Sequence, residues 1–186
     1  MGRTVRALVF VTALVPAVAW SQQDSAAVRR APPSPVDGYA ITDSKVFPDP
    51  GLGTQYRYAK AGQPSIDVFI YPYPAPAAPL VEAMAEANTF QASLPALQQR
   101  GYFDSYKVAF STTDTTHVGT NVVLGSLVAV AIKRRGQIGL TFQYVYGLRE
   151  DMLKVRVDVP QAQMAHSDAR PFVHDLVARM AADTPN

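Results

Sequence analysis

Two short segments in the first third of the chain alternate strictly between apolar and polar positions. In residues 54–60 the rings of Tyr56 and Tyr58 fall on one face, and in residues 66–71 three aliphatic side chains fall on one face. A repeat of two residues is the period of a β-strand whose two faces have different surroundings. The turn-forming residues 61–64 join the two segments, so the pattern predicts an antiparallel hairpin.

The period changes to that of a helix after this hairpin. Apolar side chains recur every three or four positions over residues 80–101, which predicts an amphipathic α-helix. Pro95 lies inside this segment and is expected to kink the helix or to begin a second short one. Gly101 marks the predicted end, since glycine readily adopts the left-handed conformation that closes many helices.

Strand-like patterns return beyond this helix. Four segments carry them: 106–111, 122–132, 138–146 and 153–159. Residues 122–132 are apolar on both faces, which predicts a central strand covered on each side. The polar residues 112–121 predict a loop, and the amphipathic segment 168–182 predicts a final helix capped by Ser167 or Asp168.

Together with a short apolar piece at residues 44–47, these elements follow the order βββ-α-ββββ-α. No parallel crossover is needed, so the sequence predicts an α+β fold, an antiparallel β-sheet of about six to seven strands with two helices packed on it. This order, over residues 43–182, resembles the PsbP-like fold. The resemblance implies the same layout of sheet and helices. It rests on no motif and carries over no cofactor or partner.

The N-terminus has the three parts of a secretion signal. Arg3 and Arg6 give a positive start, residues 7–19 form an uncharged apolar run, and small residues then supply a cleavage site. The run is shorter than the ~20 residues that a membrane-spanning helix needs. We therefore predict a cleavable signal peptide over residues 1–21 and export of the rest, to the periplasm rather than the medium.

The exported part is predicted to have two sections. Residues 22–42 are rich in proline and predict a flexible tether, and residues 43–184 predict one globular domain held together by its core. The sequence has no cysteine, so neither a disulfide nor a lipid-modified cysteine contributes. Losing Arg3 and Arg6 from the 17 Lys+Arg leaves as many bases as the 15 Asp+Glu. This neutral balance argues against a nucleic-acid partner.

Histidine and nucleophile patterns match no catalytic or metal motif. His166 and His174 are eight residues apart, about 12 Å along a helix, which is too far for one metal ion without further ligands. Ser126 lies in an apolar strand and lacks the Gly-x-Ser-x-Gly pattern of a nucleophile elbow. We expect no metal site and no cofactor. A dispersed hydrolytic site is considered only near His117 and Asp114, in the predicted polar loop.

Aromatic residues are concentrated on the first hairpin and at its exit. They are Tyr56, Tyr58, Phe69, Tyr71 and Tyr73. Exposed, these rings would form a surface suited to a protein, peptide or glycan partner. Covered by a helix or by the N-terminal tether, they would belong to the core. The alternation pattern is compatible with both interpretations.

A second candidate surface is cationic. Lys154 and Arg156 fall on the outer face of the last predicted strand, where Arg57 and Lys107 can join them. Such a patch would attract anionic polymers of the cell envelope. The alternative is a solvated sheet face on which neighbouring acids, such as Asp158, balance the charge.

These observations favour a non-catalytic binding domain of the cell envelope whose partner is a protein or an envelope polymer. An exported inhibitor or immunity-type protein belongs to the same broad class. The alternative from another class is a hydrolase with a dispersed site near His117. The two classes differ in one geometric feature, because a catalytic His117 must lie in a concave pocket within hydrogen-bond reach of a carboxylate or hydroxyl group.

Overall fold

The computed structural model describes residues 31–72, 78–165 and 167–182 of the 186-residue chain. The predicted signal peptide and the first part of the predicted tether lie outside the described residues. The described part contains seven strands and two α-helices in the predicted order, which confirms the α+β fold class. The elements are β1 (Ala40–Val46), β2 (Thr54–Ala59), β3 (Ile66–Pro72), α1 (Pro79–Gln99), β4 (Ser105–Val118), β5 (Asn121–Arg134), β6 (Gln137–Leu148), β7 (Asp151–Pro160) and α2 (Arg170–Ala182).

The seven strands form one antiparallel sheet with the order β1-β2-β3-β7-β6-β5-β4. β1 and β4 are therefore the edge strands, and α1 carries the chain from the middle of the sheet to the β4 edge. The two helices cover opposite faces, which we call the α1 face and the α2 face after the helix that packs on each. Within the described residues, no helix combines the length and the hydropathy needed to cross a membrane.

The α2 face carries the larger part of the core. Phe172, Val173, Leu176 and Val177 of α2 are fully buried and pack on the central strands, as the amphipathic pattern predicts. The side chains that the sheet contributes to this cluster are Tyr58, Ile66, Val68, Ile70, Leu127, Tyr144, Tyr146, Leu153, Val155, Val157 and Val159.

The α1 face has a smaller core. Ala87 and Leu94 of α1 pack against Val128 and Val130 of β5. Pro95 lies inside α1, which continues to Gln99 as one helix, so the predicted second helix does not form. Leu94 is buried directly before the proline, and this contact holds the last turns of α1 against the sheet.

α1 ends at the predicted glycine. Gly101 has a φ of 76°, and its N–H donates to the Gln98 carbonyl oxygen at 2.9 Å. The N–H of Tyr102 donates to the Leu97 carbonyl oxygen at 3.1 Å. These two hydrogen bonds form a Schellman motif, which satisfies carbonyl groups that the helix end would otherwise leave unpaired.

The folded domain begins earlier than residue 43. Val36 and Tyr39 are buried in the α2-face core, and β1 starts at Ala40. The Tyr58 hydroxyl donates to the Pro33 carbonyl oxygen at 2.7 Å. The proline-rich residues 31–35 are not helical, as their composition requires, but the apolar residues that follow them attach this segment to the core.

The predicted polar loop at residues 112–121 belongs mostly to a long hairpin. β4 continues to Val118 and β5 starts at Asn121, so only two residues form the turn. Four threonines lie in this part of β4. Threonine is β-branched and favours extended structure, which explains why a polar stretch forms a strand here.

The bond between Tyr58 and Pro33 leads to a prediction about the N-terminal segment. We expect Tyr58→Phe to lower the free energy of unfolding by about 1 kcal/mol, because the substitution leaves a partly buried carbonyl group without its donor. Urea denaturation measures the change. Tyr56→Phe is the matched control, since the Tyr56 hydroxyl makes no hydrogen bond among the described residues. Equal stability of the two variants would contradict the prediction.

Candidate functional site

A cleft of about 790 Å³ opens on the α2 face, between β4 and the segment that leads into α2. Its floor is an apolar part of the α2 face of the sheet. The floor residues are Leu127, Phe142, Tyr144, Val157 and Val159. A volume of this size lies within the range of pockets that hold small molecules in proteins.

The walls of the cleft come from two separate parts of the chain. Phe110, Thr112 and Asp114 line the β4 side, while Asp168 and Arg170 line the side next to α2. The cleft therefore combines an apolar floor with charged and hydroxyl groups at its rim. This combination is typical of small-molecule sites, where a few polar groups orient an otherwise apolar ligand.

A β-bulge directs the β4 side chains into the cleft. Val108 pairs with Val130 and Phe110 pairs with Ala129, so Ala109 is an extra residue in β4. One inserted residue exchanges the faces of all side chains that follow it on the strand. The bulge thus places Phe110 and every second residue after it on the α2 face.

Asp114 is the centre of a hydrogen-bond network beside the cleft. Its carboxylate accepts from the Tyr146 hydroxyl and lies 3.1 Å from the Nε2 atom of His174 on α2. Since a carboxylate only accepts, this contact requires the proton on Nε2. The Thr116 hydroxyl lies 3.2 Å from that of Tyr146. The Asp114 side chain is 11% exposed and that of His174 is 37% exposed.

A glycine makes this network possible. Asp114, Gly125 and Tyr146 lie directly opposite one another on β4, β5 and β6. The Tyr146 ring crosses β5 over Gly125, where a Cβ atom would lie 2.5 Å from the Tyr146 Cδ1 atom. Burial and the hydrogen bond to Asp114 raise the pKa of Tyr146 above its usual value. The Tyr146 hydroxyl therefore stays protonated and donates.

The opposite wall is held by the start of α2. The backbone N–H of Arg170 donates to Asp168 Oδ1 at 3.0 Å, and the Arg170 Nε atom lies 3.2 Å from the same oxygen. Burial, followed by the charges of Asp114 and Asp168, raises the pKa of Tyr144 on the floor, while Arg170 acts in the opposite direction. The described lining residues of the cleft thus include two phenols, those of Tyr39 and Tyr144, two carboxylates and one guanidinium group.

The hydroxyl groups of the network are shielded from solvent. The hydroxyl-bearing residues Thr116 and Tyr146 are buried, so neither offers an accessible nucleophile. His174 does not line the cleft. His117 is exposed on the α1 face of β4, opposite the cleft. The concave, hydrogen-bonded setting that a catalytic His117 requires is not found there.

The predicted aromatic surface is divided between the two faces of the sheet. Tyr56 and Tyr58 belong to the α2-face core, where Tyr58 is fully buried. Phe69 and Tyr71 lie on the α1 face, with the Lys154 Nζ atom 5.4 and 5.2 Å from their ring centres. Tyr73 lies outside the described residues. A binding role for these five residues stays a prediction.

The predicted cationic patch is largely paired with acids. The Arg57–Asp67 and Lys154–Glu86 pairs each have a 2.9 Å N–O distance, and Arg156 is bonded to its neighbour Asp158 at 2.9 Å. The fourth basic residue, Lys107, pairs with a β5 residue of the α2 face. The local charges therefore balance on the α1 face.

Sequence patterns did not indicate the pairing of Asp114 with His174, which are 60 residues apart. Asp114 and Thr116 are the less exposed positions of residues 110–117, but both are polar, so the hydropathy pattern carries no signal of this pairing. His166 lies outside the described residues. Elsewhere in the described ranges, no three His, Cys, Asp or Glu side chains come together in a way that could hold a metal ion. Comparison with protein-family models and with curated proteins gives no match for this chain.

Proposed function

We propose that this chain is an exported, non-catalytic binding domain that holds a small molecule with an apolar body in the cleft on its α2 face. One observation carries the proposal: the cleft of about 790 Å³ is lined by apolar and aromatic side chains together with a few charged and hydroxyl groups. Burying apolar ligand surface on that floor contributes roughly 25 cal/mol per Å², and the rim orients the ligand. Export rests on the predicted signal peptide.

Two observations favour the cleft over the first hairpin as the binding surface. Tyr58 is fully buried beneath the N-terminal segment, so it offers nothing to a partner. Lys154 covers Phe69 and Tyr71. Phe110, which is 45% exposed, and the half-buried Phe142 instead line the cleft on the α2 face.

The test is binding of a neutral, environment-sensitive dye, N-phenyl-1-naphthylamine, to the chain beginning at Gln22. We expect the dye fluorescence to rise on binding, and Thr112→Trp to weaken the affinity about tenfold because the indole fills the cleft from its wall. The only tryptophan of the sequence, Trp20, belongs to the predicted leader, so the unsubstituted mature protein contributes no indole signal.

Thr115→Trp is the matched control. Thr115 is exposed on the same strand but on the α1 face, so the same indole lies away from the cleft. Dye binding retained by Thr115→Trp and lost by Thr112→Trp supports the proposal. Equal affinity of both variants for the dye, or no binding by the unsubstituted protein, would overturn it.

A further inference from the structure

We propose that the ligand of the cleft is an organic cation, an ammonium or guanidinium group on an apolar body, with Asp114 as its counter-ion. The inference rests on the proposed function, because it assigns the chemical class of ligand to the same cleft. Three features of the described residues carry it: the bonding of Asp114, the balance of charge around the cleft, and the aromatic rings that line it.

Asp114 is a carboxylate with spare acceptor capacity at the cleft. A carboxylate offers about four acceptor positions, and the described residues occupy two, through Tyr146 and His174. No lysine or arginine of the described ranges forms an ion pair with it; the histidine is its one basic partner there. The Asp114 carboxylate therefore has acceptor positions left at the cleft that the N–H groups of a ligand cation can occupy.

The other charged side chains among the described lining residues of the cleft are Asp168 and Arg170. Asp168 and Arg170 form an ion pair, so their two charges cancel. Lys60, behind the cleft residue Tyr39, lies 5.3 Å from the ring centre of that tyrosine and donates to the Asp37 carbonyl oxygen at 2.8 Å. Among the described residues that line the cleft, Asp114 is therefore the one charged side chain that has no lysine or arginine partner. An anionic ligand would be repelled by it.

Aromatic rings supply the second element of cation recognition. Phe110, Phe142 and Tyr144 line the cleft, and ring faces attract cations through the negative charge above the ring plane. The pKa of Tyr144 is raised by burial first and then by the two carboxylates, which agrees with a negative potential at the floor. A carboxylate together with aromatic walls favours an ammonium or guanidinium group over a neutral or anionic one.

The experiment displaces the naphthylamine dye with three surfactants that share a decyl chain, used below their micelle concentrations. Decyltrimethylammonium carries the cation, decyl maltoside is neutral, and decyl sulfate is the anion. We expect the cation to compete about tenfold more strongly than the neutral compound and the anion to be the weakest. In Asp114→Asn the cation is expected to lose this advantage, whereas the neutral compound keeps its affinity.

Asp67→Asn is the control, because it removes the same charge from the α1 face. Equal competition by the cation and the neutral compound, or a cation preference that survives Asp114→Asn, would overturn the inference while the proposed function stands. Failure of the dye and all three surfactants to bind would overturn the proposed function itself. Should Asp114→Asn not fold, the order of the three compounds on the unsubstituted protein decides the inference alone.

Discussion

Phe172→Ala is expected to lower the free energy of unfolding by about 4 kcal/mol. Phe172 is fully buried at the centre of the α2 face. Its ring makes edge-to-face contacts with Tyr39 and Tyr58, at centre distances of 5.2 and 5.0 Å. The substitution removes the transfer free energy of the ring, leaves a cavity and abolishes both aromatic contacts, which are worth about 1 kcal/mol each beyond burial.

Urea denaturation followed by circular dichroism measures this effect, with Phe110→Ala as the matched control. Phe110 is 45% exposed, so its truncation is expected to cost less than about 1 kcal/mol. A domain of this size has a total stability of roughly 5–15 kcal/mol, and the Phe172 variant therefore loses a large fraction of it. Similar losses in the two variants would show that α2 does not hold the core as described.

Gly125→Ala is expected to cost about 3 kcal/mol, although it adds a single methyl group. The new Cβ atom would lie 2.5 Å from the Tyr146 Cδ1 atom and 2.6 Å from the Val145 carbonyl oxygen. Contacts this short require the tyrosine ring and the backbone of β6 to shift. The Tyr146 hydroxyl then loses its place between Thr116 and Asp114, so the buried network is disrupted as well.

The control for this variant is Gly51→Ala. Gly51 is exposed, and a Cβ atom there would meet only the Asp49 side chain, at 3.2 Å, which can move. We expect its stability to change by less than about 0.5 kcal/mol. If Gly125→Ala were as stable as Gly51→Ala, the Tyr146 ring could not lie across β5 as the structure has it.

Local periodicity was sufficient to predict the element order, because elements such as β3, β7 and α2 have a buried face that repeats along the chain. The hairpin of β2 and β3 and the amphipathic α2 are examples. The hydrophobic periodicity did not predict the strand at residues 112–121, because neither face of this part of β4 is strongly apolar. Its threonines resemble the composition of a loop. The periodicity also did not predict that residues 31–42 pack on the core, because Val36 and Tyr39 are isolated apolar residues that belong to no repeat.

Only part of the candidate site could be predicted from the sequence. Asp114 was considered, but with His117, its neighbour in sequence. The observed partner, His174, reaches it because α2 packs across β4, and no local pattern encodes that packing. The bulge at Ala109 could not be predicted from the sequence either. One inserted residue leaves the composition of the strand unchanged, although it exchanges the two faces of the strand.

The two ends of the domain are bonded to each other, and this has a consequence for the order in which the chain folds. The Arg179 guanidinium donates to the Pro35 carbonyl oxygen, 144 residues away in sequence, and Phe172 closes the core that Val36 and Tyr39 enter. A chain synthesised from its N-terminus cannot complete this core until α2 has emerged. Contacts of such long range form late in folding. In a chain exported as proposed above, this core would stay incomplete, and the chain able to be threaded through a translocation pore, until α2 has been made.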